Sequence, residues 1–84
     1  MDALPAVYRR DRGVALGCQA AAFAAVGRPA EAATAGMTAL GIARDCGSGR
    51  IIRMMLPLRS ALASYADVEE VVRLRAALDD CRAA

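Results

Sequence analysis

Residues 27–40, GRPAEAATAGMTAL, decide the fold because they combine the signals of a helix boundary with a run of small side chains. Gly27 suits the end of a preceding helix, since glycine adopts positive φ without a steric penalty. Pro29 suits the first turn of the next helix, where its missing N–H is not needed. Small side chains bury little apolar surface, so we interpret them as permitting close approach to the first helix. The positions on that face are Ala32, Gly36 and Ala39.

The remaining chain is also predicted to be helical. Alanine, leucine and arginine dominate, and all three are good helix formers. Sustained period-two alternation, the signal of a strand, is missing. We predict an all-α fold of two consecutive helical hairpins in a single domain, residues 1–84. Its four helices are expected at about 7–26, 29–45, 49–64 and 67–82.

Both helices of the second hairpin carry boundary signals. Ser48 can cap the third helix, whereas Pro57 interrupts its pattern. Because proline removes the N–H bond to the Arg53 carbonyl, we expect a kink or an early end there. Asp67 begins a variant capping box at the start of the fourth helix. The apolar stripe of the third helix is Ile51, Met55, Leu58 and Leu62.

Composition excludes several classes of function. The net charge of +2 is too balanced to require nucleic acid or an anionic membrane as partner. The most apolar run, residues 14–26, is shorter than the roughly 20 residues of a membrane span. Basic residues precede this run, which leaves a signal peptide as a remote alternative. We therefore expect a soluble, cytoplasmic protein that contacts neither membrane nor nucleic acid directly.

Catalytic and metal chemistry find little support in the residue types present. The chain has no histidine, so the usual proton shuttle is missing, and its acidic residues fall on predicted polar faces or caps. Cys46 precedes Gly47-Ser48-Gly49, but no residue supplies a base that would activate it. We predict no enzyme, no cofactor and no metal site. We interpret the three cysteines as small buried residues of a reducing compartment: Cys18, Cys46 and Cys81.

The first hairpin carries a repeat pattern: Leu16, Ala20, Phe23, Gly27, Ala32 and Ala39-Leu40. This pattern resembles the tetratricopeptide repeat, a helix-turn-helix unit of about 34 residues. Residues 9–78, from the Arg-Asp-Arg entry to the LRSAL and VRLRAAL helices, look like the C-terminal repeat region of actinobacterial (Streptomyces-type) helix-turn-helix transcriptional regulators. The resemblance implies a right-handed tetratricopeptide-repeat-like stack that binds a peptide or a partner protein.

The chain departs from this family in several places. Leu16 stands where the repeat often has tryptophan, Gly36 replaces the usual large aromatic, and no proline follows Leu40. No DNA-reading motif precedes the array, and two hairpins are fewer than the three units that such stacks usually need. The chain is thus either a fragment of a longer regulator or a standalone protein that covers its open end by self-association.

Two sets of residues are candidates for partner contact. A concave face built by the first two helices would use Gln19 and Phe23 together with three arginines, which favour bidentate contact with carboxylates. Those arginines are Arg44, Arg50 and Arg53. Solvated charge or internal ion pairs are the ordinary explanation for these arginines, with an acidic partner next and DNA a distant third.

The second set lies in residues 51–56, IIRMML, which are apolar nearly all round. Either the flanking helices bury this segment completely, or part of it is a surface for homo-oligomerisation on which flexible methionines adapt well. The self-association candidates are Ile52, Met54, Met55 and Leu56.

Overall fold

The computed structural model describes residues 6–83, and it describes side chains for residues 9–81. These residues form five α-helices and one 3-10 turn, with no strand among them, so the all-α prediction is confirmed. The helices are α1 (Ala6–Ala25), α2 (Pro29–Cys46), α3 (Gly49–Met55), α4 (Pro57–Ala61) and α5 (Glu69–Ala83), and the 3-10 turn is Ala63–Tyr65.

Pro57 divides the predicted third helix into two. The Leu56 N–H bonds to the Arg53 carbonyl in a tightened last turn of α3, and Pro57 then opens α4. The cause is the missing proline N–H, which ends one hydrogen-bond ladder and suits the first turn of the next. The last helix begins at Glu69, two residues after the predicted start.

Two glycines that end helices adopt the left-handed conformation, which confirms the prediction for Gly27. Gly27 has φ of 78° and Gly47 has φ of 66°. At Gly27 two N–H groups satisfy carbonyls of α1: Gly27 bonds to Ala24 and Arg28 bonds to Phe23. This is the Schellman pattern of a helix C-terminus. Gly47 ends α2 in the same way, and the second hairpin begins directly after it.

Ser48 joins the two hairpins through bonds in both directions. Its N–H donates to the Ala43 carbonyl of α2, and its Oγ accepts from the Ile51 N–H of α3 at 3.3 Å. The residue is itself buried. The predicted N-cap is therefore present, and the same residue completes the end of the preceding helix.

The two hairpins stack side by side with equivalent helices parallel. A methyl group at Gly13 of α1 would lie 2.9 Å from Cδ1 of Ile51, and one at Gly17 would lie 3.1 Å from Cε of Met54. From Gly13 to Gly17 along α1, the contacted residue moves forward from Ile51 to Met54 along α3. The contacting residues are 38 and 37 positions apart in the sequence. Gly36 of α2 contacts Leu74 of α5 at a spacing of 38. Each helix thus packs on its counterpart in the next hairpin, as in repeat proteins.

The prediction that Gly36 brings α2 close to α1 is wrong. A methyl group there would lie 2.9 Å from Cδ2 of Leu74 and 3.6 Å from Cδ1 of Leu58, so Gly36 makes room for the second hairpin. The glycines Gly13 and Gly17 make the matching room on α1. Gly17 and Gly36 therefore serve the contact between hairpins, whereas Gly13 makes room both for Ile51 of α3 and for Ile42 of α2.

Every helix contributes aliphatic side chains to the core. Its largest fully buried members are Leu40, Ile51, Met55, Leu62, Val71, Leu74 and Leu78. The prediction that the cysteines are buried is wrong: Cys18 is exposed, and Cys46 and Cys81 are partly exposed. Glycine, alanine and leucine occupy the inward positions of α1 and α2 and leave the cysteines at the periphery. Among the residues described, no helix has the length and apolar character needed to cross a bilayer.

Candidate partner-binding groove

A groove of about 560 Å³ runs between α1 and α2. We call it the α1–α2 groove. On α1 it follows a different stripe from Gly13 and Gly17, the two glycines that receive the second hairpin. Its lining residues are Arg12, Leu16, Gln19 and Phe23 of α1, Ala30, Glu31, Thr34, Ala35 and Thr38 of α2, and Glu70 of α5.

Helical spacing creates the α1 side of this groove. Its four residues are separated by four, three and four positions, which places them in one row along the helix. Leu16 and Phe23 are half-buried members of that row and reach the core cluster. Arg12 and Gln19 are exposed. The row therefore offers apolar surface with polar groups beside it.

Small side chains keep the α2 side of the groove open. Ala35 is buried, while Thr34 and Thr38 are exposed. The Thr34 hydroxyl donates to the Ala30 carbonyl at 2.9 Å, and the Thr38 hydroxyl donates to the Thr34 carbonyl at 3.2 Å. Because both hydroxyl hydrogens already have acceptors in α2, contact with an apolar ligand leaves these donors paired.

A cluster of three residues closes one end of the groove. The Arg28 guanidinium carbon lies 5.9 Å from the centre of the Phe23 ring, within the range of a cation–π contact. Arg28 Nε also lies 2.8 Å from Oε1 of Glu31. These side chains are at least half exposed, so the ion pair contributes little to stability. Its effect is to orient Phe23 and Glu31.

The groove has the basic Arg12 at one end and acidic side chains at the other, where Arg28 offsets the charge of Glu31. Since α1 and α2 are antiparallel, as the 2.6 Å pair between Arg9 and Asp45 shows, Phe23 lies level with the start of α2 and Glu31. Arg12 lies three turns away at the opposite end.

Glu70 adds to the negative end. It precedes Leu74 by one helical turn, and Leu74 contacts Gly36, so Glu70 lies level with the first half of α2. Within the described part of the chain, neither Arg12 nor Glu70 forms an ion pair. Both charges therefore face the groove without an internal counter-ion among those residues.

Of the five predicted partner contacts, the structure brings together Gln19 and Phe23. Arg44 lies elsewhere, against α5: its Nη2 is 3.4 Å from Cys81 Sγ and 3.9 Å from an Asp80 carboxylate oxygen. The hydrogen bond and charge interaction with Cys81 raise the pKa of Arg44 above its ordinary value. Arg44 therefore remains a cation and links the ends of α2 and α5.

The other two arginines lie on α3 and do not line the groove. Arg50 and Arg53 are exposed, and neither pairs with an acidic side chain among residues 9–81. The prediction of one surface that contains all five residues is therefore wrong. Spacing along the sequence identified charged positions but could not show that α3 leaves them outside the groove.

The self-association set is also divided. Met55 is fully buried in the core, so its assignment to a surface is wrong. Ile52, Met54 and Leu56 are half-buried. Met54 lines a second groove of about 350 Å³, whose remaining lining residues are Ala21, Ala24, Ala25, Pro57, Leu58 and Ala61. The helix IIRMML is thus buried on one side and partly exposed on the other.

Several groove residues were not singled out as contacts by their sequence pattern. The repeat pattern includes Leu16 as a packing position, and nothing in the sequence joins Arg12, Thr34 and Glu70 into one set. The available signal was the row of Leu16, Gln19 and Phe23, since a half-exposed apolar row beside small α2 residues is typical of a helix-binding groove.

Within residues 9–81, no three histidine, cysteine, aspartate or glutamate side chains are placed to hold a metal ion. Comparison with protein-family models, curated proteins and solved structures finds no match to this chain.

Proposed function

We propose that the chain is a non-catalytic protein–protein interaction module that binds an α-helical peptide segment of a partner in the α1–α2 groove. The observation that carries this proposal is the groove itself, in which half-buried Leu16 and Phe23 face small α2 side chains. An amphipathic helix binds such a groove by inserting apolar residues at helical spacing. The resemblance to regulator repeat regions supplies the setting: a module or fragment of a transcriptional regulator.

The arrangement of the two hairpins supports a stack of the tetratricopeptide-repeat type. Equivalent helices are parallel, and contacts join positions 37 or 38 residues apart. The tetratricopeptide repeat itself has about 34 residues. The longer spacing accompanies the extension of α2 to Cys46. On this proposal, the right-handed stack is a scaffold and binding specificity lies in the residues that line the groove.

Selection of helical peptides tests the proposal. A displayed library of amphipathic peptides is selected on the full chain, and the enriched peptides are measured by fluorescence anisotropy. Gln19 is exposed at the middle of the groove, so we expect Gln19→Asp to weaken binding about tenfold, because the new carboxylate must lose water against an apolar ligand.

Ala22→Asp is the matched control, since Ala22 is an exposed residue of α1 outside the groove. It adds the same negative charge to the same helix at a larger cost to helix formation, so it is the more stringent control for lost stability. We expect it to bind as the parent does, with both variants showing unchanged circular dichroism. Enrichment of no peptide, or equal weakening by both variants, would contradict the proposal.

The alternative function is structural homo-oligomerisation through the third helical segment. It is favoured by one observation: Ile52, Met54 and Leu56 remain partly exposed, and Met54 lines a groove with only apolar residues. If this alternative holds, Leu56→Asp converts an oligomer into a monomer in light scattering after size exclusion. A parent chain that is already monomeric at high concentration excludes it.

A further inference from the structure

We infer that the partner helix lies in one direction only: antiparallel to α1, with basic residues in its first turns and acidic residues in its last. This inference rests on the proposed function and names the chemistry of the partner. It follows from the uneven charge of the α1–α2 groove, which has Arg12 at one end and, at the other, Glu70 beside a Glu31 that is paired with Arg28.

The charged side chains of the groove favour this charge order in the partner helix. A helix that spans the groove places its two ends against groups of opposite sign. Basic side chains beside Glu31 and Glu70, and acidic ones beside Arg12, produce attraction at both ends. A helix of reversed charge order that lies in this direction places like charges together at both ends. It avoids them only by lying the other way round, which its dipole opposes.

The dipole of the partner helix favours the same direction. A helix carries partial positive charge at its N-terminus and partial negative charge at its C-terminus. The N-terminus is stabilised beside Glu31 and Glu70, and the C-terminus beside Arg12. Because Glu31 lies level with Phe23, the partner helix runs from the Phe23 end of α1 towards Arg12.

The groove also limits the length and spacing of the partner. Arg12 and Phe23 are separated by three turns of α1, which corresponds to about 16 Å. Leu16 and Phe23 are the half-buried apolar residues of the row. A partner of about 15 residues, with apolar side chains at i, i+4 and i+7, covers both of them and reaches the charges beyond.

A second copy of this chain does not meet these requirements through its own charged helix. In α5 acidic Glu69 and Glu70 fill the first turn, and only the later Arg73 and Arg75 precede Asp79 and Asp80 in the required order. Its apolar residues Val71, Leu74 and Leu78, however, are fully buried in the core of its own protomer. The groove therefore fits a separate amphipathic helix.

The test compares two peptides of about 15 residues with identical apolar positions. One carries lysines in its first turn and glutamates in its last, and the other carries the reverse. Their dissociation constants are measured on the parent, on Arg12→Glu and on the control Arg10→Glu, which makes the same charge change at an exposed α1 residue outside the groove.

The quantity of interest is the preference of each protein, taken as the ratio of the two dissociation constants. Comparing this ratio between proteins cancels the different helicity of the free peptides. We expect Arg12→Glu to shift the ratio about fivefold against the peptide with the acidic C-terminus, and Arg10→Glu to shift it much less. The shift is expected to fade at high salt.

The outcomes separate this inference from the proposed function. An unchanged ratio in Arg12→Glu, with binding still weakened by Gln19→Asp, overturns the direction alone. Loss of selectable peptides overturns the proposed function as well. Concentration-dependent dimerisation of the parent that Gln19→Asp abolishes would show that a second copy occupies the groove, and it would overturn the inference.

Discussion

Replacing Gly13 by valine is expected to lower the free energy of unfolding by about 3 kcal/mol, at the upper end of the usual cost of overpacking. A methyl group at this position would already lie 2.9 Å from Cδ1 of Ile51 and 3.0 Å from Cγ2 of Ile42. Both isoleucines are buried, and β-branching restricts their rotamers. Movement of Ile51 disturbs the contact between the hairpins, and movement of Ile42 disturbs the contact between α1 and α2.

Gly41→Ala is the matched control for this prediction. Gly41 is exposed in the interior of α2, and a methyl group there would meet nothing within 4 Å. Alanine should raise the free energy of unfolding by about 0.5–1 kcal/mol, because it restricts the unfolded chain without a clash. Urea denaturation measures both variants. A Gly13→Val protein as stable as the parent would contradict the close approach of α1 to α3.

Met55→Ala is the second large effect, and we expect it to cost about 2–5 kcal/mol. Met55 is fully buried, so truncation leaves a cavity between the hairpins. Met54→Ala should cost clearly less, since Met54 is half-buried and borders an open groove. Both variants replace a methionine of α3 by alanine at neighbouring positions. The difference between their urea midpoints therefore reports the difference in burial between Met54 and Met55.

The Met55→Ala variant also distinguishes a core role of Met55 from a role in self-association. If Met55 instead mediated self-association, Met55→Ala would leave the monomer stable and change its oligomeric state. A small loss of stability together with a shift from oligomer to monomer in light scattering would therefore contradict the core assignment of Met55.

Local signals in the sequence were sufficient to predict the helical class and several of the helix ends. Gly27 and Gly47 end their helices because positive φ is costly for other residues, and Pro57 breaks the third segment because it lacks an N–H. Ser48 caps α3 because its side-chain oxygen can replace a missing carbonyl partner. Each of these effects depends on a few neighbouring residues, so the sequence alone contains the information.

The identity of packing partners was not accessible in the same way. Helical spacing showed that Gly36 belongs to an inward face, but it did not show that Leu74, 38 positions further on, fills the space. The cysteines illustrate the same limit. Alanine and glycine hold most of the inward positions of α1 and α2, so the hydrophobic character of cysteine did not predict its exposure.

The candidate site was predicted in part for the same reason. Gln19 and Phe23 belong to one row of a single helix, and the sequence places them together. Arg44, Arg50 and Arg53 required knowledge of how α2 and α3 are oriented. Glu70 required the parallel arrangement of α2 and α5. Contacts within one helix follow from periodicity, whereas a groove shared by three helices follows only from the assembled fold.

The central claim is that the α1–α2 groove binds a helix, and backbone amide shifts of the isotope-labelled chain test it most directly. On titration with a selected peptide, we predict the largest shift changes along the groove, at Leu16, Gln19, Phe23, Thr34 and Thr38. Residues 51–56 should change little. Changes concentrated at Ile52, Met54 and Leu56, with the groove unaffected, would contradict the claim and favour the third helical segment as the binding surface.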